Sequence, residues 1–158
     1  MRHLILLRHA HAEPASTGQA DFDRPLSPRG LAEAEAAGVW LAAQSLAPDR
    51  VLCSPARRTR ETLECVFDRI GYAEMRLEED IYEATPGMLA ALLERHRDVE
   101  RVLVVGHNPG LERLAALLNS GRSGDYRGMP TAAVAVLLLP LETAIEPGAA
   151  RLAAFWWP

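Results

Sequence analysis

Three near-continuous apolar runs, separated by stretches of helical periodicity, predict an α/β fold: a three-layer α/β/α sandwich with a mostly parallel, mixed sheet. The runs are Leu4-Ile5-Leu6-Leu7, Val51-Leu52-Cys53 and Val102-Leu103-Val104-Val105. Apolar sequence without polar alternation marks strands covered on both faces, as in parallel sheets flanked by helices. The stretches between them open on Ser27-Pro28, Ser54-Pro55, Thr85-Pro86 and Asn108-Pro109, each a capping residue followed by proline, which is a common helix start. The tail departs from this grammar. Two strands, about 132–138 and 150–156, are joined across Pro140 to Gly148, too few residues for a helical crossover, so they read as an antiparallel pair that makes the sheet mixed.

In chain order, the first strand covers 2–7 and an irregular segment fills 8–26; a loop of that length inside a compact domain is usually functional. The first helix runs from Pro28 to about Leu46, with Leu31, Ala34, Gly38, Leu41 and Ala42 at helical spacing. A strand at 50–53 feeds a second helix that carries Thr62, Leu63, Val66, Phe67 and Ile70 and ends near Gly71. Ala73 to Glu79 offers a minor strand before Ile81-Tyr82-Glu83-Ala84. Thr85-Pro86 opens a third helix with Leu89, Leu92 and Leu93, closed by the polar run Glu94 to Asp98. The strand at 101–105 is expected to be central, and a helix over 109–118 comes next. Asn119 to Pro130 reads as a surface loop. Leu31, Leu63, Leu92 and Leu114 are expected in the core, and Trp156-Trp157 over a sheet edge.

At 158 residues with 49% hydrophobic composition, the chain suits one core and one domain, 1–158. A formal charge of -4 provides no global attraction to nucleic acid or to membranes, so any anion must be held by a local basic focus. Cys53 and Cys65 lie beside or within apolar runs without metal-ligand spacing and read as reduced core thiols. No apolar run approaches a membrane span and Met1 leads straight into a strand, so the expected location is cytoplasmic.

The ends of the apolar runs carry the chemistry. The first delivers Arg8 and His9, the second leads to Arg57 and Arg58, and the third to Gly106-His107-Asn108. A parallel sheet gathers these ends at its carboxyl edge, where ligands of open α/β sheets bind. Imidazole and guanidinium groups so clustered suit an anion, with helix starts nearby to add backbone N–H groups. Adjacent helical residues do not share a face, so one of Arg57 and Arg58 points inward, and periodicity alone does not choose. Arg8 has an alternative partner in Asp21 or Asp23. His11 is a candidate for the entrance, whereas His3 and His96 read as surface or strand-edge groups. A metal site from His9, His11 and His107 is opposed by the charge of Arg8 and Arg58.

Arg8-His9-Ala10 resembles the Arg-His-Gly signature of the histidine phosphatase superfamily, with alanine in place of glycine. Arg24-Pro25-Leu26-Ser27-Pro28-Arg29-Gly30, Ser54-Pro55 with Arg58 and Thr62, Leu103 to Leu111, and Met129-Pro130-Thr131 are similar to its short branch, the SixA-type phosphohistidine phosphatases. The resemblance implies a phosphoglycerate mutase-like fold without the inserted lid of larger members. It also implies that His9 is the nucleophile, that Arg8 and Arg58 hold the phosphoryl oxygens, and that His107 donates to the same group. By the same resemblance Arg24 reaches the phosphate from the long loop, and Glu83 is the candidate general acid.

That assignment is chemically coherent. Two guanidinium groups match the equatorial oxygens of a phosphoryl group in transfer. The attacking imidazole must be neutral, which requires an acceptor, most simply a backbone carbonyl, on its other nitrogen. No metal and no cofactor are called for. An alkoxide leaving group needs a general acid more than an imidazole does, so Glu83 bears on substrate class. The expected partner is a phosphohistidine-bearing protein. The alternatives are a small phosphomonoester turned over at the same site and a phosphoprotein-binding module without turnover. A mutase is disfavoured because an open site exposes the phosphoenzyme to water.

Overall fold

In the computed structural model, which describes residues 1–158, six strands form one sheet: β1 (Arg2–Arg8), β2 (Arg50–Cys53), β3 (Glu74–Leu77), β4 (Arg101–Gly106), β5 (Val134–Leu139) and β6 (Arg151–Trp156). Their order is β3-β2-β4-β1-β5-β6. The first four in that order are parallel, and β5 and β6 are antiparallel to their neighbours, as the short final connection requires. Four helices complete the layers: α1 (Pro28–Ala43), α2 (Arg57–Ile70), α3 (Pro86–Glu94) and α4 (Gly110–Ser120).

The unbroken apolar runs are divided between two cores by the alternation of side chains along each strand. Ile5, Leu7, Val51, Cys53, Leu103 and Val105 pack with Ala34, Ala37 and Leu41 of α1 and Leu63 and Val66 of α2. Leu4, Leu6, Leu52, Val102 and Val104 face the other way, against α3 and α4 through Leu89, Leu92, Leu93, Leu111, Leu114 and Leu118. This two-sided burial is why the sequence shows no polar alternation there.

Two glycines set how closely the helices approach the sheet edge that carries the site. A Cβ on Gly30 would sit 1.9 Å from the His11 carbonyl oxygen, so α1 lies directly against the segment after His9. A Cβ on Gly110 would sit 2.6 Å from the Ala84 carbonyl oxygen, so the start of α4 abuts the turn before α3.

Several local expectations are corrected. Leu31 is half exposed, because the buried stripe of α1 is Gly30, Ala34, Ala37, Gly38 and Leu41, one residue out of phase with it. That helix also stops at Ala43, before Leu46. Ser27 and Thr85 cap α1 and α3 as expected, each accepting a backbone N–H three residues on. Ser54 and Asn108 do not: α2 starts at Arg57 and α4 at Gly110. Ser54 is engaged with His107, and the Asn108 amide donates to Glu112 and to the Met129 carbonyl. His96 is buried, its Nδ1 3.1 Å from Arg50, whose guanidinium also pairs with Asp98 and Glu74. Trp156 stacks on Trp40, whereas Trp157 is exposed. Cys53 is buried and Cys65 partly buried, both free. No helix is long and apolar enough to cross a membrane.

Candidate active site

β1, β2 and β4 end side by side, and backbone hydrogen bonds continue past their ends to anchor the residues immediately beyond. His9 N–H donates to the Gly106 carbonyl, Ser54 N–H to Val105, and Ala132 N–H to Arg8 and His9. The nucleophile candidate is thus held by β4 on one side and by the segment entering β5 on the other. Ala10 N–H donates to Thr62 Oγ1, tying the next residue to α2. The Ala10 methyl group packs in the core with Leu26, Ala34 and Leu63 and does not line the cleft.

His9 and His107 face each other with ring centroids 5.3 Å apart. His9 Nδ1 lies 2.7 Å from the Ala10 carbonyl oxygen. A carbonyl only accepts, so Nδ1 carries the proton and Nε2 keeps a free lone pair. Burial, reinforced by the positive charges of Arg58, Arg8 and Arg24, pushes the His9 imidazole down from 6.5 to about 4. Burial, His9 and Arg58 push His107 down to about 3. Both rings are therefore neutral at neutral pH.

The structure brings Arg8 and Arg58 to this pair. Arg8 Nη1 donates to the Met129 carbonyl and to no carboxylate, so the alternative pairing with Asp21 or Asp23 does not form. Arg58, the second residue of α2, turns inward and is almost fully buried, while Arg57 turns outward to Glu61. Asp21 is the partner of Arg58: its carbonyl accepts from Nη1 and its carboxylate from Nη2. The same carboxylate accepts from Tyr82 at 2.6 Å and from Arg24 at 2.9 Å, which holds it far below the usual carboxylate range. Arg24 is committed to Asp21 and to the Glu13 carbonyl, near enough to depress His9 but with two donors already engaged.

Beside His107 lies a cleft of about 370 Å³, lined among others by Arg58, Tyr82, Glu83, His107 and Arg113; His9 and Arg8 are not part of its lining. Glu83 is exposed on its wall, at a left-handed φ of 62°. His11 is held by Ser27 at 2.6 Å and does not line the cleft. Nowhere are three His, Cys, Asp or Glu side chains grouped to hold a metal ion, and the imagined His9, His11 and His107 site is not assembled.

Three buried side-chain nitrogens at this edge lack a partner, Arg8 Nε, Arg58 Nε and His107 Nδ1, as does Asn108 Oδ1; the other unpartnered nitrogens, on Arg2 and His3, lie at the opposite end of β1. Buried polar groups are ordinarily satisfied, so orphans on three neighbouring cationic or donor side chains mark the place of an anion. Sequence reading missed Asp21 as the clamp on Arg58, Tyr82 as a wall of the cleft, and Ser54 as the partner of His107. The available signals were Asp21 three residues before Arg24 in a long loop, and a serine placed directly after a strand.

Comparison with known proteins identifies the family. Residues 4–98 match the model of the histidine phosphatase superfamily (branch 1). An uncharacterised protein of Mycobacterium tuberculosis (strain CDC 1551 / Oshkosh) is 41% identical over 96% of this chain and 99% of its own. Phosphohistidine phosphatase SixA of Escherichia coli (strain K12) is 32% identical over 76% of each chain. A solved structure of the protein histidine phosphatase SixA complexed with tungstate superposes with a TM-score of 0.83 at 26% identity, over 98% of this chain and 96% of the other. With its mixed three-layer sandwich and paired histidines at the sheet edge, the chain belongs to the histidine phosphatase superfamily, in its SixA-like branch, and is a phosphatase of that superfamily.

Proposed function

We propose that the protein is a phosphohistidine phosphatase that works through a phosphorylated His9, without a metal or other cofactor. The observation that carries this reading is a neutral His9 with a free Nε2 lone pair, at the strand edge where Arg8 Nε, Arg58 Nε and His107 Nδ1 are buried without a partner. Nε2 attacks phosphorus while the P–N bond to the leaving imidazole breaks; protonated on its other ring nitrogen, the substrate's imidazole departs neutral. Arg8, Arg58 and His107 stabilise the charge that collects on the equatorial oxygens. Water then attacks the phosphohistidine, the P–N bond breaks, and phosphate departs from a regenerated neutral imidazole. Depressed basicity suits His9 to both steps, since it stays unprotonated as nucleophile and leaves readily as imidazole. The similarity to SixA proteins favours a protein-borne phosphohistidine as substrate.

A second reading, a small-molecule phosphomonoesterase, is favoured by Glu83. Its left-handed backbone is a conformation that costs about 1 kcal/mol or more for a residue with a Cβ, and the residue lines the cleft. Phosphate release from a phosphohistidine-bearing carrier protein and from a phosphomonoester, each with wild type and Glu83→Gln, separates the two. The phosphohistidine reading predicts faster turnover of the carrier and little loss on it in Glu83→Gln. Preferred turnover of the monoester, abolished in Glu83→Gln, would move the substrate to the second reading.

A further inference from the structure

We propose that Ser54 is a positioning residue that fixes the tautomer of His107, so that this ring offers an Nδ1–H to the transferred phosphoryl group while remaining neutral. The inference rests on the reading that His107 meets that group.

Ser54 is fully buried at the end of β2, and its hydroxyl has two neighbours. The Ala56 backbone N–H donates to Oγ at 3.3 Å, and His107 Nε2 lies 2.7 Å from Oγ. An amide N–H only donates, so the hydroxyl proton has a single available acceptor, Nε2. With Ser54 donating there, the second imidazole nitrogen, Nδ1, carries the ring's proton. Nδ1 is the buried atom of His107 that has no partner, and Arg8 Nε and Arg58 Nε are orphaned at the same edge. An anion placed among the three accepts from all of them, and every polar group in the chain Ala56, Ser54, His107 is then satisfied.

The opposite arrangement is poorer at both ends. If Nε2–H donated to Ser54, the hydroxyl proton would have no acceptor in a dry site, and Nδ1 would turn a lone pair toward the incoming phosphoryl oxygens. Repulsion would replace a hydrogen bond at the point where charge builds up. The neutral donor also does not depend on protonating a ring whose basicity the site suppresses. Ser54 therefore occupies its place after the strand for the imidazole rather than for the helix, consistent with α2 beginning three residues later.

The test is heteronuclear NMR of the His107 imidazole nitrogens at neutral pH, together with kinetics of Ser54→Ala and Ser54→Thr. The proposal expects the Nδ1–H tautomer in the wild type, a mixed or Nε2–H ring in Ser54→Ala, and recovery in Ser54→Thr, which keeps the hydroxyl. In Ser54→Ala, kcat should fall roughly tenfold to a hundredfold with KM little changed, since the lost bond acts in the transition state. An Nε2–H tautomer in the wild type overturns the proposal, and so does a Ser54→Ala enzyme with unchanged tautomer and kcat. The wild-type spectrum decides the matter even if Ser54→Ala fails to fold. A wild type that shows Nδ1–H but forms no phosphoenzyme would instead remove the phosphatase mechanism and leave the Ser54 contact standing.

Discussion

His9 and His107 are both imidazoles in one pocket, yet their surroundings assign them different work. The Ala10 carbonyl accepts a hydrogen bond from His9 Nδ1–H and leaves Nε2 with a free lone pair, whereas Ser54 engages Nε2 of His107. Because His9 is pushed down to about 4, it loses its proton well below neutrality. The rate of phosphoenzyme formation should therefore hold from about pH 8 down to about pH 5 and fall only as pH approaches 4, as His9 protonates; stopped-time assays across that range check it. An acid limb centred on an ordinary imidazole near 6.5 would contradict the depressed value. His107→Ala should keep the fold and lower kcat by about 10²–10³, the usual cost of one donor to developing charge. Arg58→Lys should also be poor, since a single ammonium nitrogen cannot reproduce the planar fork whose Nη1 and Nη2 hold the Asp21 carbonyl and carboxylate while Nε stays free.

At the scale of elements, the site depends on how closely helices and loops approach the strand ends. Gly30→Ala forces a methyl group into the His11 carbonyl, and α1 must move away from the segment behind His9. We expect a destabilisation of about 1–3 kcal/mol in urea unfolding, with activity lost beyond what stability explains. The long loop 8–26 serves the site, because its Asp21 clamps Arg58, Arg24 and Tyr82 together. Strands and helices were legible in the sequence because burial on two faces leaves unbroken apolar runs and because Ser27 and Thr85 signal helix starts. Ser54 and Asn108 misled for a physical reason. A capping residue type placed at a strand end can be drawn to the site instead, and no local pattern reveals that His107 or Met129 will be its partner. Leu31 misled because a helical stripe is a choice among adjacent phases, settled here by the close approach at Gly30. Asp21 escaped notice because its partner, Arg58, is 37 residues away along the chain.

For the molecule as a whole, the site is held at some cost to stability in acid. Both histidines have folded values below the ordinary 6.5, so between pH 6.5 and about 4 the unfolded chain binds more protons than the folded one. Stability contributed by the buried neutral rings is complete above 6.5 and is lost progressively as pH falls toward 4. The Tm of the wild type should therefore drop across that window, and a His9→Gln, His107→Gln double variant should drop less; equal slopes would argue against buried neutral rings. The sheet tolerates little loss in its centre. Leu6, fully buried between β4 and β5, should cost about 2–5 kcal/mol when replaced by alanine.

The most direct measurement is intact-protein and peptide mass spectrometry of enzyme quenched rapidly after mixing with a phosphohistidine-bearing carrier protein, beside His9→Ala. The account predicts a phosphoryl adduct on His9 that forms before phosphate appears, decays as phosphate is released, and is absent in His9→Ala. Steady release of phosphate with no adduct on His9, or an adduct at another residue, would contradict it.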